Sequence, residues 1–262
     1  MIEAAYAAEG AEGAVHGAGA GSLPNPMHQF EIKRLIPLEL FGFDASFTNS
    51  ALFMVIAASI ITLFTVYAMR SRALIPTRLQ SVAELSYTFV ANMVRDNVGT
   101  DGMKYFPFVF TLFMFVLVLN MLGMVPYSFT VTSHIIVTFA LAAFIFLGVT
   151  LVGLAMHGLH FFSFFVPKGV PMFMMPLMVV IEVLSYLTRP ISLSVRLFAN
   201  MMAGHTMLKV FAGFTIMLGV LGVAPIAINV ALTGFEILVA FLQAYVFAVL
   251  TCIYLNDAIH LH

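Results

Sequence analysis

The chain has 262 residues, 62% of them hydrophobic and only 9% charged, with a formal net charge of −1. Soluble domains carry about 25% charged residues, so this composition excludes a soluble globular domain and indicates an integral membrane protein. The near-neutral balance argues against nucleic acid as a partner, and a single cysteine, Cys252 in an apolar run, excludes a disulfide framework.

Residues 1–26 are rich in Ala and Gly, with Glu3, Glu9 and Glu12 but no basic stretch followed by an apolar one. They lack the pattern of a cleavable signal peptide and are expected to be a flexible tail. Residues 27–262 are expected to form a single membrane domain. It opens with a short surface segment over 27–44, where Asp44 is read as interfacial. Ala45 to Met69 then runs for 25 residues without a charge, more than the ~20 that suffice to span a bilayer.

Pro76-Thr77 opens a different kind of segment. Thr77 with Gln80 fits a capping box, and Leu79, Val82, Leu85, Phe89, Val90 and Met93 recur at helical spacing among polar residues. This pattern predicts an amphipathic helix over about 77–98 lying in the membrane interface, with Gly99 as its stop. Tyr105 to Pro167 carries no Asp, Glu, Lys or Arg. Spans are expected at 105–125 and 134–156, joined by a turn around Pro126-Tyr127-Ser128, and Asn120 is read as helix–helix glue. His157 to Pro171 is a loop. His157 and His160 have no third ligand nearby and are read as loop histidines, with His260 and His262 in a tail.

Met172 to Lys209 is too long for one perpendicular span. It must tilt or bend, and Pro190, which removes a backbone bond to residue 186, makes a bend expected. Gly213, Gly219, Gly222 and Pro225 are read as the following turn. The last span covers about 226–256, with Asp257 read as interfacial. The fold class expected is therefore an all-α polytopic membrane protein: five transmembrane helices, one interfacial helix, and a long tilted hairpin at the end. Arg70, Arg72, Arg78, Arg95, Lys104 and Lys168 fall on one side, which the positive-inside rule makes cytoplasmic. The N-terminus is then outside and the C-terminus inside, in a bacterial inner membrane or, less expected, a mitochondrial one.

The chemistry concentrates in the long fourth span. Glu182, Arg189 and Arg196 are seven apart, so they share one helix face with ~20° of drift per step. A charge at the bilayer centre costs about 2.5–3.5 kcal/mol on insertion scales, and a stripe of them marks an ion pathway. His205 lies nine residues beyond Arg196. In the last span Glu236 and Gln243 are also seven apart, and antiparallel pairing can set Gln243 beside Arg196 and Glu236 beside His205. Two polar clusters result. The outer one holds His205 and Glu236; the inner one holds Glu182, with Ser185, Ser192 and Arg189 as possible lining. Glu182 has a second reading as a snorkelling interfacial residue, and Arg189 as a structural one. His and Glu can relay protons, whereas Arg stays charged. Two half-paths divided by Arg196 cannot conduct without a moving partner that takes a proton on one side and releases it on the other.

At this point the sequence resembles a known family. Arg196-Leu197-Phe198-Ala199-Asn200-Met201-Met202-Ala203-Gly204 resembles the signature of subunit a of F-type ATP synthases. Gln243-Ala244-Tyr245-Val246-Phe247, with Leu250-Thr251 and Tyr254-Leu255, resembles that family's last-helix motif, and Asn120, Gly123 and Pro126 fit its middle span. The resemblance covers about residues 27–257. It implies a proton-translocating stator subunit of a rotary ATP synthase, with no catalytic site, cofactor or metal of its own. It also implies a c-subunit ring bearing membrane carboxylates, b-type peripheral stalk subunits and membrane lipids as partners. By the resemblance Arg196 matches the essential arginine, Glu182 the inner half-channel, and His205 with Glu236 the outer pair, with Asn200 and Gln243 lining the path. His at the first outer position and Glu at the second is the arrangement of alphaproteobacterial and mitochondrial members. The rival expectation is a self-contained ion channel or secondary transporter, which predicts flux from the isolated chain. Neither repeated halves nor an uninterrupted polar path is visible to support it.

Overall fold

Thr48 starts the first long helix: its hydroxyl oxygen accepts from the Ala51 amide at 3.4 Å, the usual N-cap bond. A computed structural model describes residues 32–37, 39–40, 43–44, 46–70, 77–125, 128–158, 160–161, 173–218 and 222–260. The expected tail over 1–26, the Pro126-Tyr127 corner and most of the 157–171 loop lie outside the described residues. Ahead of Thr48, two short antiparallel ladders nest as a hairpin: Arg34–Ile36 with Phe47–Thr48, and Glu39–Leu40 with Phe43–Asp44. The sequence reading of 27–44 did not foresee this pairing, because ladders this short carry no usable alternation.

Six α-helices follow among the described residues, here α1 (Asn49–Ala68), α2 (Arg78–Val98), α3 (Phe106–Gly123), α4 (Ile135–His157), α5 (Met175–Met217) and α6 (Val223–Ile259). All but α2 are long and apolar enough to cross a membrane. The chain is an all-α polytopic membrane protein.

In α2, Thr77 caps the Gln80 amide at 3.4 Å, and Gly99, at φ +82°, closes the helix with a bond from its amide to the Arg95 carbonyl. The capping box is only half made, because the Gln80 side chain turns forward to donate to Glu84 at 2.8 Å. The buried face is Val90, Ala91, Met93, Val94 and Val98, whereas Leu79, Val82 and Leu85 point outward. Apolar residues that would seek a core in water can face lipid instead. Phe89 reaches inward to the rings of Phe113, Phe241 and Tyr245, at 5.7, 6.0 and 5.7 Å, so α2 leans on α3 and α6.

The two long helices decide the architecture. At ~1.5 Å per residue, the 43 residues of α5 and 37 of α6 reach about 65 and 55 Å, well beyond the ~30 Å of hydrocarbon. α5 runs to Met217, past the end expected at Lys209, and Gly213 is buried inside it. One glycine costs a helix about 1 kcal/mol. Breaking the helix in lipid would leave several backbone groups unpaired at greater cost. α6 begins at Val223, three residues earlier than expected, with Pro225 in its first turn, where a missing amide hydrogen does no harm. Pro190 sits inside α5 without ending it.

α6 forms the spine. Ala240, Ala244 and Ala248 are fully buried on one face and let α3 approach closely. Val109 and Val116 of α3, Val90 and Val94 of α2, and Leu197 and Met201 of α5 complete the core.

Candidate proton path along the two long helices

The outer pair is the most buried charged contact described. His205 Nδ1 lies 2.5 Å from Glu236 Oε1, with the side chains 8% and 5% exposed. The opposite ring nitrogen, Nε2, is 2.8 Å from the Gly123 carbonyl. A carbonyl only accepts, so Nε2 carries a proton and Nδ1 is the nitrogen left to exchange one with Glu236. The Nδ1–Oε1 approach is close but off the line of an aligned hydrogen bond, and neither Glu236 oxygen has an aligned donor among the described residues. Gly204 makes this possible: a Cβ there would stand 2.6 Å from Glu236 Oε1. The second span and the turn after it contribute too. Thr130 donates to the same Gly123 carbonyl at 3.3 Å, and Asn120 donates to the Ala240 carbonyl at 3.3 Å, one turn from Glu236.

Further buried polar atoms near this end have no hydrogen-bond partner among the described residues: Asn120 Oδ1, Thr132 Oγ1, His134 Nε2 and Asn229 Oδ1. Such atoms are normally satisfied by ordered water. A cavity of about 350 Å³ lies alongside, lined by Asn200, Ala203, Gly204, Glu236 and Gln243. It brings together three of the predicted residues, Asn200, Glu236 and Gln243.

Arg196 is the midpoint of α5, with 21 residues on either side. It is exposed at the surface of the bundle and makes no hydrogen bond or salt bridge with the described residues, although its charge acts on Tyr254. The expected pairing with Gln243 is not made. His205 with Glu236 and Arg189 with Asp257 fix the antiparallel register. Their residue numbers sum to 441 and 446, which puts Arg196 level with about residues 245–250. Gln243 sits one turn further out, level with Asn200.

At the inner end, Arg189 Nη1 donates to Asp257 Oδ2 at 2.8 Å. Its guanidinium also lies 5.4 Å from the Tyr186 ring centroid and 5.0 Å from that of Tyr254. Asp257, read as an interfacial charge, closes this contact. The clue lay in the last helix, where 236, 243, 250 and 257 share one face. Glu182 is half-buried, while Ser185 and Ser192 are exposed, and α6 ends before it reaches the level of Glu182. Among the described residues no three His, Cys, Asp or Glu side chains gather as metal ligands do.

The family described as ATP synthase A chain matches residues 51–256. This chain belongs to that family. A protein of Pelagibacter ubique named ATP synthase subunit a is 60% identical over 240 residues, covering 91% of this chain and 98% of that protein. Proteins of the same name from Chelativorans sp. and Parvibaculum lavamentivorans are 61% and 59% identical over 243 and 249 residues. They cover 90% and 92% of this chain, and 98% and 96% of their own lengths. The matched segment of the ATP synthase A chain family contains every residue of the polar seam from Glu182 to Gln243; only Asp257 falls one position beyond it.

Proposed function

We propose that the chain is the stationary membrane subunit of a rotary F-type ATP synthase in a bacterial inner membrane, guiding protons through two offset half-paths separated by Arg196. The observation that carries this reading is a contrast along α5. Arg196 is exposed at the helix midpoint with no salt bridge to a described residue, while nine residues outward His205 and Glu236 are buried against each other. A guanidinium at mid-membrane needs an anion. With none supplied by the described residues, a carboxylate on a neighbouring subunit fits the requirement, and a ring of c subunits supplies one carboxylate after another. The chain would be held against that ring by b-type stalk subunits and surrounded by lipid.

A cation ~4 Å from a carboxylate is worth about 4 kcal/mol at an effective dielectric of 20, or roughly three pKa units. A ring carboxylate arriving at Arg196 therefore gives up its proton to the inner path, which Glu182, Ser185 and Ser192 line. Rotation carries the carboxylate on to Asn200 and Gln243, where Glu236 and His205 reload it from the outer side. The unpartnered Asn120, Thr132 and Asn229 oxygens mark where water would reach that pair. Arg196 cannot pass a proton itself, so the two half-paths communicate only through the moving ring. The basic residues between α1 and α3 put the C-terminus in the cytoplasm.

The test is ATP-driven proton pumping by the whole complex in sealed vesicles. Arg196→Ala is expected to abolish acidification while the complex still assembles; pumping at the wild-type rate would overturn the reading.

A further inference from the structure

The buried residues of α5 begin at Pro190: Pro190, Leu193, Ser194, Leu197, Met201, His205 and Gly213. Nothing between Met175 and Arg189 is buried, and Leu177, Val180, Ile181, Leu184 and Leu187 are all exposed. This inner arm, fifteen residues long by its bounds, therefore has no fully buried residue and meets its neighbours through a half-buried face. It also joins the rest of α5 at its weakest point, because Pro190 lacks the amide that would bond the Tyr186 carbonyl. Left to itself, the arm would swing about Pro190.

Two contacts stand on the arm's side of that joint. Tyr186 donates its hydroxyl to Thr150 of α4 at 2.6 Å; Thr150 has already spent its own proton on the Phe146 carbonyl. The Tyr186 ring packs on Phe146 with centroids 4.8 Å apart. Arg189 bonds Asp257 of α6 and lies between the rings of Tyr186 and Tyr254. The space beside the ion pair, bounded by Val149, Phe161 and Ala258, is about 10 Å³, room for at most one water. The pair is thus partly buried, and with Tyr186 it ties the arm to both neighbouring helices.

We propose that Arg189 and Asp257 form a latch across the Pro190 joint that holds the inner arm of α5 in line, so that Glu182 stays on the same face as Arg196. Both are positioning residues for the inner half-path. This rests on the function proposed above but concerns a different step. An Arg–Asp pair suits a latch because the planar guanidinium holds a carboxylate in a fixed geometry and packs on the flanking rings.

The experiment compares Arg189→Ala, Asp257→Ala, the double alanine variant and the charge-swapped Arg189→Asp with Asp257→Arg, each in the whole complex in vesicles. ATP-driven pumping per assembled complex is read at several internal and external pH values. Each single alanine variant is expected to pump about five- to tenfold more slowly, with the double variant no slower than the singles, because contacting partners are not additive. The swap is expected to recover most of the rate, and Asp257→Asn to slow pumping without changing its pH profile. A swap as slow as the singles, or an Asp257→Asn variant with a shifted pH profile, would overturn the latch, the latter by making Asp257 a proton carrier. Should the alanine variants not assemble, the charge swap and Asp257→Asn decide alone, by the outcomes just given. Arg196→Ala, run in parallel, separates the two ideas. If Arg196→Ala is dead and the latch variants pump normally, only the latch fails; if Arg196→Ala pumps normally, the proposed function fails.

Discussion

Among the described residues, two acid–base contacts join α5 to α6, and they differ in chemistry and setting. The inner pair, Arg189–Asp257, is 18% and 28% exposed, aligned at 2.8 Å, and flanked by tyrosine rings. The outer pair, His205–Glu236, is 8% and 5% exposed, closer, out of line, and set among polar atoms that lack partners. The guanidinium is held to its carboxylate by an aligned, charge-assisted hydrogen bond with two rings beside it, a contact of fixed geometry. Histidine and glutamate are side chains that can each take up and give back a proton, and His205 Nδ1 and both Glu236 oxygens have no aligned partner among the described residues. On the function and latch proposed above, the same two helices would carry a fastener at one end and an exchanger at the other. What separates the roles is protonation chemistry, since both pairs bridge the same helix interface.

The comparison breaks most severely if the outer pair is made permanent. His205→Arg keeps a cation opposite Glu236 but removes the group that can release a proton. Proton-driven ATP synthesis should fall by about 100-fold or more, the scale set by loss of a positioned acid or base. Synthesis within tenfold of wild type would show that charge alone, without titration, suffices at this site.

Crowding the outer pair should have a smaller effect. Gly204→Ala puts a methyl group 2.6 Å from Glu236 Oε1, and overpacking of this kind costs about 1–3 kcal/mol. Pumping should drop about tenfold, and a compensating Glu236→Asp should restore part of it. An unaffected Gly204→Ala complex would mean that Glu236 does not work from the position described.

The mildest change converts the inner pair into an exchanger. Arg189→His leaves a latch that is closed only while the histidine is protonated, below a pKa near 6.5. The sign follows directly: pumping should be near normal at pH 6 and fall a few-fold as pH rises to about 8, whereas wild type keeps its latch throughout. A variant with the wild-type pH profile would show that charge at residue 189 is irrelevant.

Much of this arrangement was legible in the sequence because helices in lipid leave so few charges. Antiparallel pairing of α5 with α6 allows Glu236 beside His205, and the two side chains touch. Composition predicted an all-α membrane chain, and Thr77 and Gly99 bracketed α2 as their side-chain and backbone chemistry requires. What stayed hidden depended on register, backbone and solvent. The Gly123 carbonyl that fixes His205 has no side chain to advertise it. Arg196 sits a turn away from Gln243 because the helix pair drifts between its two salt bridges, and no local pattern encodes that drift. Asp257 looked interfacial because nothing in its neighbourhood names a partner 68 residues earlier. Leu79, Val82 and Leu85 face outward because in a bilayer the apolar side of a helix has two acceptable neighbours, protein and lipid.

The central claim is that Arg196 separates two half-paths, and passive proton conductance tests it most directly. Vesicles containing the whole complex, without nucleotide, are given an imposed potassium diffusion potential, and proton flux is followed with a pH-sensitive dye. With Arg196→Ala the flux should rise several-fold above wild type, and the added Glu236→Gln change should abolish the rise. A leak no greater than wild type in an assembled Arg196→Ala complex would contradict the account.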